Sequence, residues 1–160
     1  MQLKSTLVGI SNDARGWLKA WAGDFTEDEA RRSGSCPANP IAWQLGHIAC
    51  AEEDVVCLFG GEAMVPKSLR TACAHGCPAP TTSTAYPPLT ELWQHLERTH
   101  AVLVGMVDKA TDADFDRPAL RENPFFKTFG QAVYEIALHE NYHVGEIATL
   151  RKGLGKKRIG

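Results

Sequence analysis

The chain has 160 residues, of which 44% are hydrophobic and 22% charged, and a formal net charge of −2. So even a balance leaves no electrostatic footprint for nucleic acid or an anionic membrane, and the length suits a single globular domain over residues 1–160 with a real core. The opening "MQLKSTLVGISNDARGW" has too short an apolar run for a signal peptide or a membrane span, and five cysteines are an odd number for a disulfide framework, so a cytoplasmic protein with reduced thiols is expected.

Four long helical segments follow one another, with little that reads as strand. The first spans about Leu3 to Trp21, with Leu3, Leu7, Ile10, Trp17, Leu18 and Trp21 as its apolar stripe. In the polar stretch after it, Thr26 and Glu29 have capping-box spacing and predict one short helical turn. Asn39 is a suitable N-cap and Pro40 a suitable first residue for the second helix, which runs through "IAWQLGHIACAEEDVVCLF" to Gly60-Gly61. Residues 60–88 carry Gly, Pro, Thr and Ser throughout and read as a long loop. The third helix covers about Leu89 to Lys109 on a spine of Leu92, Leu96, Leu103 and Val107. After an irregular stretch, Thr128 and Gln131 form a second capping-box candidate, and "GLG" from residue 153 ends the fourth helix. The expected fold is all-α, a four-helix bundle.

The fourth helix contains "HENYH", residues 139–143, which fits H-E-x-x-H. His139 and His143 lie one turn apart on the edge of an apolar face centred on Phe129, Val133, Ile136, Ile147 and Leu154, so both imidazoles can address one ion or can cap and hydrogen-bond within the core. A zinc protease does not fit. The elongated zincin motif wants Gly at 146 and His at 149, where this chain has Glu146 and Thr149, no histidine follows His143, and no strand pattern supplies an edge for a peptide. His47 stands mid-helix in the apolar "WQLGHIAC". A buried histidine there needs partners on both ring nitrogens, which a metal on one and a carboxylate or carbonyl on the other would provide. His95 and His100, in "WQHLERTH", read as part of a solvated face.

"NPIAWQLGHIACAEE", followed some ninety residues later by "HENYHVGEIATLRKGLG", resembles the DinB-like (DinB/YfiT) superfamily of four-helix-bundle metalloproteins. The matching positions are Trp43, His47, Glu52, Glu53, His139, His143, Gly145, Ile147, Leu150, Arg151, Leu154 and Gly155. The resemblance covers nearly the whole chain and implies a bundle with one long crossover connection. It also implies a divalent metal (zinc, nickel or iron) on His47, His139 and His143, and a homodimer. Relatives in such a group include thiol transferases, so the implied function is a metal-dependent transferase that uses a low-molecular-weight thiol as co-substrate on an electrophilic small molecule. The alternatives are a metal-dependent hydrolase and a non-catalytic binding or stress-response module. One position departs from the pattern: the usual glutamine after the second histidine is Glu146.

Three neutral imidazoles would leave the ion its full charge to lower the pKa of a bound thiol or water. No catalytic base is assigned. Glu52 and Glu140 project near the centres of their apolar faces, where a carboxylate needs a partner. A salt bridge or an N–H donor as partner is the plain reading, and orientation of the metal-site histidines by at least one of the two the favoured one. Cys73, His75 and Cys77 in "CAHGC" lack the spacing of a structural zinc site and read as incidental. Cys50, one turn from His47, is a remote further donor.

Overall fold

The fold is that of a computed structural model, which describes residues 2–32, 39–74, 76, 85–157 and 159. Its helices are α1 (Leu3–Ala22), α2 (Glu27–Ala30), α3 (Ile41–Leu58), α4 (Lys67–Ala72), α5 (Leu89–Lys109) and α6 (Phe129–Gly153), with a 3-10 turn at Asp112–Asp116 before α6. The four long helices form the expected bundle. Two differences concern the second helix and the loop after it. Pro40 is itself the N-cap of α3, and its carbonyl accepts from Gln44 N, while Asn39 contributes only its backbone carbonyl to the Gln44 side chain. The stretch read as a loop contains α4, which the Pro66 N-cap sets off.

Two caps appear as the sequence predicts. Thr26 and Glu29 make a reciprocal capping box, and the Thr128 hydroxyl accepts from Gln131 N. The second box is only half made, because Gln131 Oε1 accepts from Lys127 N instead. Gly60 at φ +97° and Gly155 at φ +71° turn the chain out of α3 and α6 in the left-handed conformation that glycine adopts without strain.

Side-chain pairings give the helix directions. Arg15 meets Glu140 midway, and Arg151 donates to Trp21 O near the helix ends, so α1 and α6 run parallel. Lys4 donates to Asp108 O and Lys19 to Glu97, so α5 runs against α1. The start of α3 shares a cluster with Leu92 and Leu96, and its end one with Leu103 and Val107, so α3 and α5 are parallel. The principal contacts are α1 on α6 and α3 on α5, with α3 also against α6 and α1 against α5; α1 and α3 are therefore diagonal partners. Between the parallel α3 and α5 the chain must return along the bundle, about 27 Å for the eighteen residues of α3. That return is the long crossover, and α4 lies within it.

Two apolar clusters fill the ends of the bundle. One holds Leu18, Leu45, Ile48, Leu92, Leu96, Ile147 and Leu150, the other Leu7, Val55, Leu103, Phe129 and Val133. A buried polar layer separates them: Arg15, Glu52, Thr99 and Glu140, one residue from each long helix. This layer explains a misread stripe on α1. Leu3 and Trp17 are 51% and 54% exposed, and the core face comprises Leu7, Ser11, Ala14, Arg15, Leu18 and Ala22. Ser11 and Arg15 carry no hydropathy signal, so a stripe drawn on apolar residues alone is rotated away from the true face.

Candidate metal centre

α3 and α6 pack antiparallel, which brings His47 opposite His139 and His143. On the α3 wheel the core face carries Ile41, Leu45, Ile48 and Glu52, and Trp43 and His47 fall on a different side, one turn apart. The Trp43 indole stacks on the His47 imidazole at 4.6 Å and 14°, fixing the ring plane. Ring centroids are 5.1 Å apart for His47–His139, 5.2 Å for His47–His143 and 4.7 Å for His139–His143. One donor nitrogen from each of the three lies within 4.8 Å of the others, a group that could hold a metal ion.

The outer hydrogen bonds say which nitrogens face inward. His47 Nδ1 is 3.0 Å from the Cys73 carbonyl. A carbonyl only accepts, so Nδ1 carries the proton and donates, and the lone pair is on Nε2. His143 Nδ1 is 2.8 Å from Glu146 Oε2, and its Nε2 is 3.2 Å from His139 Nε2. Two nitrogens bound to one ion at 2.0–2.1 Å in tetrahedral geometry stand roughly 3.3 Å apart, so this pair already has the separation that a shared ion requires. Burial, then the positive charge that His139 and His47 would bring, pushes His143 down to about 3, so its imidazole is neutral and able to ligate at physiological pH. His47 and His143 are buried and His139 is partly exposed, which places the mouth of the site on the His139 side. A donor set of three imidazole nitrogens, with the outer nitrogens of His47 and His143 held by acceptors, fits a borderline divalent cation.

Glu146, where the family pattern has glutamine, lies against this histidine group. Its Oε1 accepts from the Tyr142 hydroxyl at 3.3 Å, and the Tyr142 ring stands edge-on to His143 at 5.4 Å. Burial raises the Glu146 carboxyl above its ordinary value, with the Tyr142 bond opposing. The signal was present in the sequence as the i, i+3 spacing of His143 and Glu146.

The buried carboxylates correct an expectation. Glu52 bonds to Arg15 at 2.9 Å, accepts from Thr99 Oγ1 at 2.6 Å and lies 3.2 Å from His100 Nδ1; Glu140 accepts from Arg15 Nε at 2.7 Å. The salt-bridge reading describes both, because Arg15 offers two faces of one guanidinium to two acids at the same depth. Burial raises Glu52, but the His100 bond and the Arg15 charge outweigh it and hold the carboxyl below its usual range. Burial and the neighbouring Glu52 raise Glu140 despite Arg15. Glu52, His100 and Glu140 also lie close enough together to ligate an ion. The Arg15 guanidinium already supplies the positive charge at that point, which makes this cluster an internal ion pair. His95 and His100 are a second correction. Their side chains are each 11% exposed; His95 lies 3.6 Å from Glu91, and His100 joins the polar layer, with Nε2 3.1 Å from Asn12 Oδ1.

Cys73 closes α4 as a fully buried thiol, and His75 and Cys77 lie outside the described residues. Burial pushes Cys50 up to about 11 and Cys73 up to about 12, so neither is a ready thiolate.

None of the curated proteins matches the sequence. A crystal structure of a conserved protein from Enterococcus faecalis is similar in fold, with a TM-score of 0.73, 15% identity, and 98% of this chain aligned to 99% of that one. The profile of the DinB superfamily matches residues 12–147, a span that takes in Arg15, His47, Glu52, all of α5 and the His139–Glu146 segment. With that span matched and the bundle and its histidine group in place, the chain belongs to the DinB superfamily.

Proposed function

We propose that this protein, a single domain over residues 1–160, is a metal-dependent transferase. It holds one divalent ion on His47, His139 and His143, and moves a low-molecular-weight thiol onto an electrophilic small molecule. The observation that carries the reading is the convergence of three imidazoles with the outer nitrogens of His47 and His143 tied to acceptors. A divalent ion there supplies Lewis-acid charge, undiluted by any anionic ligand among the three, which favours the thiolate form of a bound thiol near neutral pH. The chain's own residues do the rest. Trp43 and the Cys73 carbonyl fix the His47 ring, Glu146 fixes His143, and the partly exposed His139 borders the side from which substrate enters. The thiol as co-substrate follows from the sequence resemblance, and the donor set is compatible with it.

A homodimer and a cytoplasmic location belong to the same proposal. Trp17 of α1 and Tyr134, Leu138 and Tyr142 of α6 expose large apolar side chains, the kind of surface a second copy would cover. Cys50, Cys57 and Cys73 are free thiols, as a reducing compartment would keep them. Among the described residues no helix is long and apolar enough to cross a membrane.

Elemental analysis of protein made without a histidine tag tests the reading. About one zinc, nickel or iron per chain is expected, with the His143→Ala variant losing it. Loaded protein should then consume a small thiol in the presence of an alkylating electrophile. No ion in either protein after reconstitution would end the metal reading, whereas a bound ion with no thiol turnover would leave the hydrolase or binding-module alternatives.

A further inference from the structure

We infer that Glu146 is a positioning residue for the metal centre, an acceptor that fixes which nitrogen of His143 faces the ion, and that Tyr142 anchors it from the surface. The inference rests on the reading of His47, His139 and His143 as ligands.

His143 Nδ1 lies 2.8 Å from Glu146 Oε2, and a carboxylate only accepts, so the proton belongs on Nδ1 and the lone pair on Nε2, facing His139 Nε2 at 3.2 Å. The other carboxylate oxygen accepts from Tyr142 at 3.3 Å. Tyr142, His143 and Glu146 stand at i, i+1 and i+4 on one helix. The tyrosine and glutamate are one turn apart, with the histidine between them, and no other element is needed to build the arrangement. The Glu146 side chain is 26% exposed and that of His143 4%, so the carboxylate closes the outer edge of the buried imidazole.

The two buried ligands are held differently. His47 leans on a neutral carbonyl, whereas His143 leans on a group that can carry a full negative charge. A carboxylate behind an imidazole makes it the more basic ligand and fixes its ring at the same time. Glutamine at 146 would keep an acceptor oxygen without the charge, and alanine would keep neither. The two substitutions therefore separate geometry from electrostatics.

The test compares tag-free wild type, Glu146→Gln, Glu146→Ala and Tyr142→Phe. Zn²⁺ affinity is measured by competition with a chromophoric chelator, the visible ligand-field spectrum is recorded after Co²⁺ loading, and the metal-free proteins are melted. Glu146→Ala is expected to lose roughly 10–100-fold in Zn²⁺ affinity and to shift the Co²⁺ bands. Glu146→Gln should restore the band positions and part of the affinity, and Tyr142→Phe should show a smaller loss in the same direction, with metal-free melting unchanged throughout. Wild-type affinity in Glu146→Ala would overturn the inference, as would losses that merely follow a drop in metal-free stability. Wild-type protein that binds neither ion would remove the ligand assignment and this inference with it, an outcome distinct from the other two.

Discussion

Arg15 is the residue on which the interior most depends. It is 3% exposed and contacts Glu52 at 2.9 Å and Glu140 at 2.7 Å, and its Nη1 donates to the Leu96 carbonyl at 2.7 Å. One side chain on α1 thus satisfies groups on the other three long helices. A buried ion pair adds little net stability compared with an apolar replacement, but removal of one partner leaves charge stranded in a low dielectric. Arg15→Met should therefore cost about 3–5 kcal/mol, read as a lower urea midpoint, and Arg15→Lys should recover only part of it, because a point charge cannot serve two carboxylates and a carbonyl at once. An Arg15→Met protein as stable as wild type would show that removing the guanidinium leaves no stranded charge on Glu52 and Glu140.

Among the elements, α4 carries weight out of proportion to its six residues. It lies over the face of α3 marked by Gly46, Cys50 and Glu53. Glu53 accepts from the backbone N–H groups of Met64 and Val65 and from Arg70, and Arg70 also reaches Asp54 at 2.8 Å. This clamp fixes the near end of the crossover and holds Cys73, whose carbonyl orients His47. Gly46 makes the close approach possible. A Cβ there would stand 2.5 Å from Cys73 Sγ and 3.0 Å from Leu69 Cδ1, too near for either to stay in place. Gly46→Ala should destabilise by about 1–3 kcal/mol in chemical denaturation and also weaken Zn²⁺ binding, because the Cys73 carbonyl must move. Gly145→Ala makes the control. Its Cβ meets nothing within 4 Å, and alanine in the α6 interior should add up to about 1 kcal/mol.

At the scale of the whole molecule, the proposed centre ties α3 to α6 at mid-height, next to the polar layer where the apolar packing is interrupted. An ion bound only by the folded chain stabilises it in proportion to its occupancy, by about 2.7 kcal/mol at a free concentration one hundred times Kd. For a chain of this length that corresponds to a rise of roughly 5–10 °C in Tm. Melting with added Zn²⁺ should show the rise, and chelator should abolish it. The His143→Ala protein should melt alike in both conditions, whereas an equal rise in that variant would place the stabilising ion elsewhere.

The four long helices, the caps at Thr26 and Thr128 and the His139–His143 pair could be read from the sequence because each depends on local spacing: apolar periodicity for α1, α3, α5 and α6, Thr26–Glu29 and Thr128–Gln131 for the starts of α2 and α6, and i, i+4 for the histidines, whereas only the family resemblance joined His47 to that pair. Glu146 is equally local, three residues from His143, but a carboxylate on a helix surface has many ordinary uses and its spacing alone does not pair it. The partners of Arg15, Glu52, Glu140 and His100 were not readable. Each was charged or polar with no pattern to pair it, and only the parallel and antiparallel packing of four helices brings residues 15, 52, 100 and 140 to one depth. Cys73 as the anchor of His47 was likewise fixed by the crossover, since a backbone carbonyl carries no residue-specific signal. The sequence determined the helices, the chemistry of the candidate histidines and the nearness of Glu146 to His143, which depend on neighbours a few residues away; the tertiary structure decided which buried charges meet, that His47 faces His139 and His143, and which nitrogen His47 turns inward, which depend on contacts between segments far apart in the chain.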